Sequence, residues 1–384
     1  MGLPKVSANN LTFGLSVPQF GMQERKKRRI VIASVLKPVD DARMFEKLAQ
    51  SLAAIAEVHV IGYPTSQAPA QPSAVVLHPV EHFSRISIKR LLMPWRILRK
   101  IRQLHPSTLV ITTHELLAQA LIVNLTEGAR LVYDVQENYA RNILYTNAFP
   151  LLLRPFVAAY VRLKELICSP FINTFLLAEE SYRDELRFMR GKEVVVENKS
   201  RRIVRTRQND NEIRLLFSGT LNEGTGVFSA IDLAKRLHVA DPRIRLAIAG
   251  YCSLAQTYER LIAATRALPF VTIVGGDHLV PHDKIVQLIG ESDAGIIAYS
   301  ITPATCNSRP TKIFEYLAGG LSILTVDHKP WVKLLNKYTT PVIFDPANPD
   351  VPTILAALTR RHNSSADSSI LWENEEKKLL SLFA

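Results

Sequence analysis

One pattern runs through this chain twice, and it leaves few folds open. Short, continuously apolar runs alternate with segments of helical spacing: IVIASVL (Ile30 to Leu36), VHVIGY (Val58 to Tyr63), TLVIT (Thr108 to Thr112), ARLVYDV (Ala129 to Val135) and NTFLLA (Asn173 to Ala178). Between the first two, Arg43 to Ile55 places Phe45, Leu48, Leu52 and Ile55 on one helical face. Strands this apolar are buried on both faces, which requires a parallel sheet covered by helices on either side. The rhythm breaks at NKSRRIVRTRQNDN, residues 198–211, which reads as a linker. It then restarts with IRLLFSG, IRLAIAG, FVTIVGG, DAGIIAY and LSILTV, with helices predicted from Gly226 to His238, Leu254 to Ala267 and His282 to Gly290.

The expected fold is therefore α/β, with two Rossmann-like, doubly wound parallel-sheet domains facing a central cleft. The expected boundaries are a flexible basic tail over 1–28, a first domain over 29–197, the linker over 198–211, a second domain over 212–367 and a terminal amphipathic helix over 368–384. Helix spacing predicts that a helix over Ser87 to Gln103 starts at Pro94 if the proline interrupts it.

Composition narrows the partners. The 384 residues carry a net charge of +12, which suits acidic partners such as phosphorylated small molecules or anionic lipid. No recognition-helix, RNP or zinc pattern accompanies the charge, so specific nucleic-acid binding is not expected. Three widely spaced cysteines, Cys168, Cys252 and Cys306, give neither a disulfide framework nor a zinc site, and fit a reducing, cytoplasmic setting. The longest apolar candidate, FPLLLRPFVAAYV (Phe149 to Val161), falls short of the ~20 residues that span a bilayer. The stretch from Lys89 to Arg102 interleaves cations with Leu91, Leu92 and Trp95, a pattern of an ordinary surface helix or of one resting on an anionic membrane surface.

Ligands of doubly wound sheets bind at the carboxyl ends of the strands, so the loops there carry the candidate sites. After the first strand, Asp40 and Asp41 either cap the next helix or bind a ligand, and Lys37 and Arg43 are candidate contacts for an acidic acceptor. After the fifth, Asp134, Gln136, Glu137 and Asn138 crowd a strand end with more hydrogen-bonding groups than a turn requires. In FSGTLNEGTGV, Gly219, Thr220, Thr225 and Gly226 form a glycine-rich turn into a helix, where backbone amides can approach a phosphate. In NSRPTKIFEYLAGG, Asn307, Ser308, Arg309, Pro310 and Thr311 lead into a helix whose first turns carry Lys312 and Glu315. A carboxylate there suits a ribose diol, while the plainer reading is an exposed i,i+3 ion pair.

These motifs resemble those of retaining glycosyltransferases of family 4 (glycosyl transferases group 1). NSRPTKIFEYLAGGLSIL is similar to the family's Pro-x-Lys-x-x-Glu-x-x-Ala-x-Gly stretch, YDVQENY to its Asp-x-His-Glu loop, and FSGTLNEGTGV to its second-domain glycine loop. The resemblance covers roughly residues 29 to 384 and implies a GT-B fold, with donor bound by the second domain and acceptor by the first.

By position it implies donor binding at Gly219, Thr220, Thr225, Gly226, Asn307, Ser308, Arg309, Pro310, Thr311, Lys312 and Glu315. Catalysis would fall to Gln136, Glu137, Asn307, Arg309 and Lys312, and the acceptor side to Lys37, Asp40, Asp41, Arg43, Asp134 and Asn138. It implies no cofactor and no metal, with a nucleotide-diphosphate sugar as substrate. The activity would be hexosyl transfer, with retention, to a saccharide or lipid-linked acceptor in cell-surface polysaccharide or glycolipid synthesis, in the cytoplasm or at the inner face of the membrane.

Three departures from the family, at four positions, stand out. Asn307 stands where a Glu is common, Thr220 and Thr225 replace an Arg and a Lys of the glycine loop, and Gln136 replaces the loop His. A catalytically weak or inactive relative that binds nucleotide-sugar or acts as a scaffold is the alternative these departures motivate.

Overall fold

The computed structural model describes residues 2, 28–64, 74–81, 88–146, 149–207, 211–359 and 367–384. The rest of the basic tail, 208–210 of the linker and the polar break at 360–366 lie outside the described residues.

Two sheets carry the chain. The first contains β1 (Arg29–Pro38), β2 (Glu57–Tyr63), β3 (Val75–Pro79), β4 (Thr108–Ile111), β5 (Arg130–Val135), β6 (Thr174–Leu177) and β7 (Glu193–Val195) in the order β3-β2-β1-β4-β5-β6-β7. The second contains β8 (Ile213–Thr220), β9 (Ile244–Tyr251), β10 (Val271–Gly276), β11 (Ala294–Ile297), β12 (Ser322–Thr325) and β13 (Val342–Ile343) in the order β10-β9-β8-β11-β12-β13. Every pairing is parallel. The chain reverses its direction of travel across the sheet between β1 and β4, and again between β8 and β11; crevices at such switch points bind ligands.

The strands that apolar runs did not reveal are β3, β7 and β13, all at or near sheet edges. They are short, and an edge strand keeps one side open and needs no continuous apolar run. The first helix also differs from its expected register. It runs with π-type turns over Ala42–Ala49, continues through Gln50–Leu52, and stops before Ile55, which is exposed rather than buried. The helix Ile88–Leu104 passes straight through Pro94 instead of starting there. Met93, Ile97, Leu98 and Ile101 are buried in the first-domain core, so packing on the sheet compensates for the hydrogen bond that proline cannot make.

The linker is packed rather than loose. Thr206 N–H donates to Gly290 O, and the Arg205 guanidinium donates to the carbonyls of Gly320 and Ser292. Arg207 pairs with Asp293, and Arg201 donates to Glu46 O. Part of the charge that stood out in the sequence is thus spent on helix ends of both domains. The last helix, Trp372–Phe383, returns to the first domain, where Trp372, Leu379 and Phe383 pack with Met44, Leu48 and Leu52. The indole N–H of Trp372 donates to Ser51 Oγ at 3.0 Å.

Candidate functional site

The helix Thr311–Ala318 opens at the mouth of the cleft, after Pro310, which contributes no side-chain cap. Its C-terminus explains two of the three small residues after Glu315. A Cβ on Gly319 would meet Ile289 at 2.4 Å, and Gly320 adopts φ +66°, the left-handed turn that lets Leu321 N–H close onto Tyr316 O. The helix is thereby seated tightly between β11 and β12, and its first turn is fixed in place.

Lys312 and Glu315 are not an exposed ion pair. Both are buried, at 5% and 8% exposure, and each faces its own surroundings. Lys312 Nζ lies 4.2 Å from the Phe217 ring centroid and 5.0 Å from that of Tyr299, and has no hydrogen-bond partner among the described residues. It points at the glycine loop: a Cβ added to Gly219, at φ +105°, would sit 3.8 Å from Nζ. Burial pushes the Lys312 ammonium down to about 7. An unpartnered cation beside a bare backbone is arranged for an anion that approaches both.

Glu315 accepts from His282 Nε2 at 3.2 Å, and His282 Nδ1 reaches Glu46 of the first domain at 2.7 Å. Burial opposes charge on this imidazole, yet hydrogen bonds to the two carboxylates hold it up to about 10, so both ring nitrogens donate at neutral pH. Burial likewise works against the Glu315 carboxylate, but His282, Lys47 and Lys312 outweigh it and keep its pKa below the ordinary value. His282, Glu46 and Lys47 escaped the sequence reading. Single charged residues give no spacing signal: the fold of the second domain brings His282 to Glu315, and the docking of the domains brings Glu46 to His282 and the Lys47 charge toward Glu315.

In the glycine loop, Gly226 adopts φ +83° and starts the helix Val227–Ala240; a Cβ there would collide with Ala298 O at 1.8 Å. The Thr225 hydroxyl donates to Thr220 O at 2.7 Å and accepts from Asn222 N–H, so it braces its own loop, while Thr220 is exposed.

Between the domains lies a polar cavity of about 180 Å³ lined by Lys37, Arg43, Gln136, Glu137, Glu179, Asn198, Arg309 and Thr311 among others. The fold therefore brings Lys37, Gln136 and Glu137 of the first domain to Arg309 and Thr311 of the second. Arg309 pairs with Glu197 and its N–H donates to Glu179; Asn307 donates to Glu185, and Asn198 donates to Thr311 Oγ1. Burial raises Glu179 to about 7. Ser308 is turned away: its hydroxyl donates to Thr305 O, and its carbonyl accepts from Trp331 Nε1.

Several residues expected on the acceptor side make contacts that brace the first domain. Asp134 is fully buried and accepts two-pronged from Arg43, itself 3% exposed, which also donates to Val196 O. Two charges cannot stay buried unless each neutralises the other, so this pair is a brace with only the edge of Arg43 on the cavity. Asp41 caps the first helix, accepting from the N–H groups of Arg43 and Met44, and lies 3.8 Å from Lys37. That neighbouring carboxylate holds the Lys37 ammonium above its ordinary pKa. Asn138 caps the helix Tyr139–Tyr145 and also bonds Glu185 and Arg162. Among the described residues, Asp40 makes no hydrogen bond or ion pair toward the cleft. Gln136 donates to Asp134, and Glu137 accepts from Asn142.

A larger cavity of about 680 Å³ lies at the carboxyl ends of β11, β12 and β13, lined by Tyr299, Ser300, Asp327, Phe344 and Asp345 among others. Its lining holds two carboxylates and no cation, which is the wrong charge for a diphosphate. The Lys312 cradle has the right one.

Two all-parallel domains closing on a basic, glycine-lined cleft match known structures over nearly their whole length. The fold is GT-B. Sucrose-phosphate synthase from Thermosynechococcus elongatus superposes with a TM-score of 0.66 at 12% identity, covering 93% of this chain and 98% of that one. Anabaena HepE, solved with UDP and glucose, gives 0.63 at 12% identity, with 93% and 99% covered. WaaG, a glycosyltransferase of lipopolysaccharide biosynthesis, gives 0.60 at 13% identity, with 92% and 95% covered. Residues 198–355, which carry the second sheet, match the family described as Glycosyl transferases group 1. Comparison with curated protein sequences gives no match. The matched segment holds Gly219, Lys312 and Glu315, the residues on which the geometry of the cradle rests.

Proposed function

We propose that this GT-B protein is a retaining glycosyltransferase of family 4 that moves a hexosyl group from a nucleotide-diphosphate sugar to a saccharide or lipid-linked acceptor, without a bound metal. The setting proposed is cell-surface polysaccharide or glycolipid synthesis at the cytoplasmic side of an anionic membrane, approached by the basic helix Ile88–Leu104. The observation that carries the reading is Lys312: buried, unpartnered, and aimed at Gly219 one helical turn from Glu315.

In this reading the donor diphosphate lies between Gly219 and Lys312, and Glu315 exchanges its His282 contact for the ribose hydroxyls. Arg309, at the boundary of the polar cavity, adds positive charge where the leaving phosphate departs. The acceptor hydroxyl enters from the Gln136 and Glu137 side and attacks the anomeric carbon from the face the leaving group vacates. The carbon–oxygen bond to phosphate breaks, and the hydroxyl proton passes to the departing phosphate oxygen. Positioned charge stabilises that departure, with no covalent nucleophile.

A second reading, a weak or inactive relative, is favoured by one observation. Thr225 is bonded within its own loop and offers no charge to the diphosphate. Calorimetry of the purified chain against a panel of nucleotide-sugars, with product analysis in the presence of an acceptor extract, separates the two. Binding with turnover supports transfer, binding without turnover supports the second reading, and no binding removes both.

A further inference from the structure

The helix Arg154–Cys168 is built inside out. Phe156, Tyr160, Leu163 and Ile167 form one stripe along it and are 74%, 62%, 56% and 59% exposed. The turn just before it, Leu151–Leu153, adds Leu151 at 70% and Leu152 at 84% exposure. The charge of this helix points inward or to the flank. Glu165, 2% exposed, is held by Tyr133 and Arg162, and Lys164 Nζ sits 5.3 Å from the Tyr160 ring. A contiguous apolar face on a chain with this much charge marks a surface that is covered in use.

From this we infer that the face from Leu151 to Ile167 inserts into the headgroup and upper acyl region of an anionic lipid bilayer, with the first domain resting on the membrane. Charge selects this occupant over a second copy of the chain. Each copy carries +12, and Glu165, the sole acid between Phe149 and Phe171, is buried, so two such faces repel, whereas anionic headgroups attract the cations around them. The patch also continues beyond its own helix. The helix Leu117–Glu127 packs against both Arg154–Cys168 and the basic helix Ile88–Leu104, on which Leu91, Leu92 and Trp95 are exposed. Glu115 links the two sides, pairing with Arg90 at 2.7 Å and acting electrostatically on Lys164. Lysine stems and aromatic rings at the rim of an apolar face are arranged for the lipid–water boundary.

The same helix touches the candidate site. Arg162 donates to Asn138 Oδ1 at 2.9 Å, and Asn138 follows Gln136 and Glu137 at the end of β5. A bilayer seated on this face places lipid headgroups beside that loop, which favours a lipid-linked acceptor; this last step rests on the function proposed above.

The test is flotation of the full chain with vesicles of phosphatidylcholine, alone or mixed with phosphatidylglycerol. The expected result is binding to the mixed vesicles that falls by about tenfold or more in Phe156→Glu with Ile167→Glu, because apolar insertion is lost. Both substitutions lie on exposed positions, and an unchanged thermal melt verifies folding; Val239→Glu, on an exposed apolar residue of the second domain, leaves binding intact. Absence of vesicle binding by the native chain, binding indifferent to the two substitutions, or a dimer in ultracentrifugation that they abolish would each overturn the inference. Calorimetry with the same panel of nucleotide-sugars runs alongside: absence of binding to every one of them by the native chain would sink the transferase reading and leave the vesicle result standing.

Discussion

His282 Nε2 lies 3.2 Å from Glu315 Oε1, so the carboxylate proposed to bind a ribose is already held by a protonated imidazole, whose other nitrogen reaches Glu46 across the cleft. On the function proposed above, the contact would couple donor binding to the seating of the two domains. A ribose entering at Glu315 competes with the tie that closes them.

The pH dependence of that tie follows from its sign. The folded pKa of His282 is about 10 against an ordinary 6.5, so its stabilisation is complete below about 6.5 and is lost as pH rises toward 10. Urea unfolding from pH 6 to 9.5 should show native stability falling across this window. In His282→Gln that fall should flatten, with a loss near pH 6.5 of about 2 kcal/mol, the scale of a charge-assisted hydrogen bond. An unchanged slope in the variant would show that His282 does not carry the dependence.

Lys312 should make diphosphate binding sensitive to pH in the neighbourhood of neutrality. Burial holds it near 7 in the free protein, and a bound anion restores its charge, so affinity is full below 7 and declines between pH 7 and 9. Calorimetry with whichever nucleoside diphosphate binds should show that decline in the native chain. In Lys312→Met the profile should flatten, with affinity at pH 7 lower by about tenfold or more.

Glu315→Ala should weaken nucleotide binding more than Glu137→Ala does, because Glu315 lies on the second domain, one turn from the Lys312 that faces Gly219, and Glu137 lies across the cleft. The expected loss is about tenfold for the first. The same calorimetry checks it, and the reverse order would place the nucleotide on the wrong domain.

Arg43→Ala leaves Asp134 charged, buried and without its partner. The expected destabilisation is about 3–5 kcal/mol by urea unfolding, whereas Arg43→Met with Asp134→Leu should recover much of it. A large effect on acceptor kinetics with stability intact would instead return Arg43 to the acceptor site.

Trp372→Ala removes a fully buried indole and its bond to Ser51, detaching the last helix from the first domain. A loss of about 3–5 kcal/mol is expected in the unfolding of that domain.

Much was legible before any coordinates because the relevant signals are local. Continuous apolar runs such as IVIASVL and LVYDV are buried on both sides, and the repetition of such runs fixes two parallel sheets, even though VTIVGG forms the half-buried edge strand β10. Gly219, Gly226 and Gly320 each answer a demand of the backbone within a few residues, which spacing reveals. What sequence could not settle was which charges face one another. Lys312 and Glu315, three apart on one helix, turn to different neighbours. Arg43 and Asp134, 91 positions apart, neutralise each other, and His282 joins Glu315 to Glu46. Ion pairing depends on distance and burial in three dimensions: the folding of each domain set the first two arrangements and the His282–Glu315 contact, and the docking of one domain on the other added Glu46.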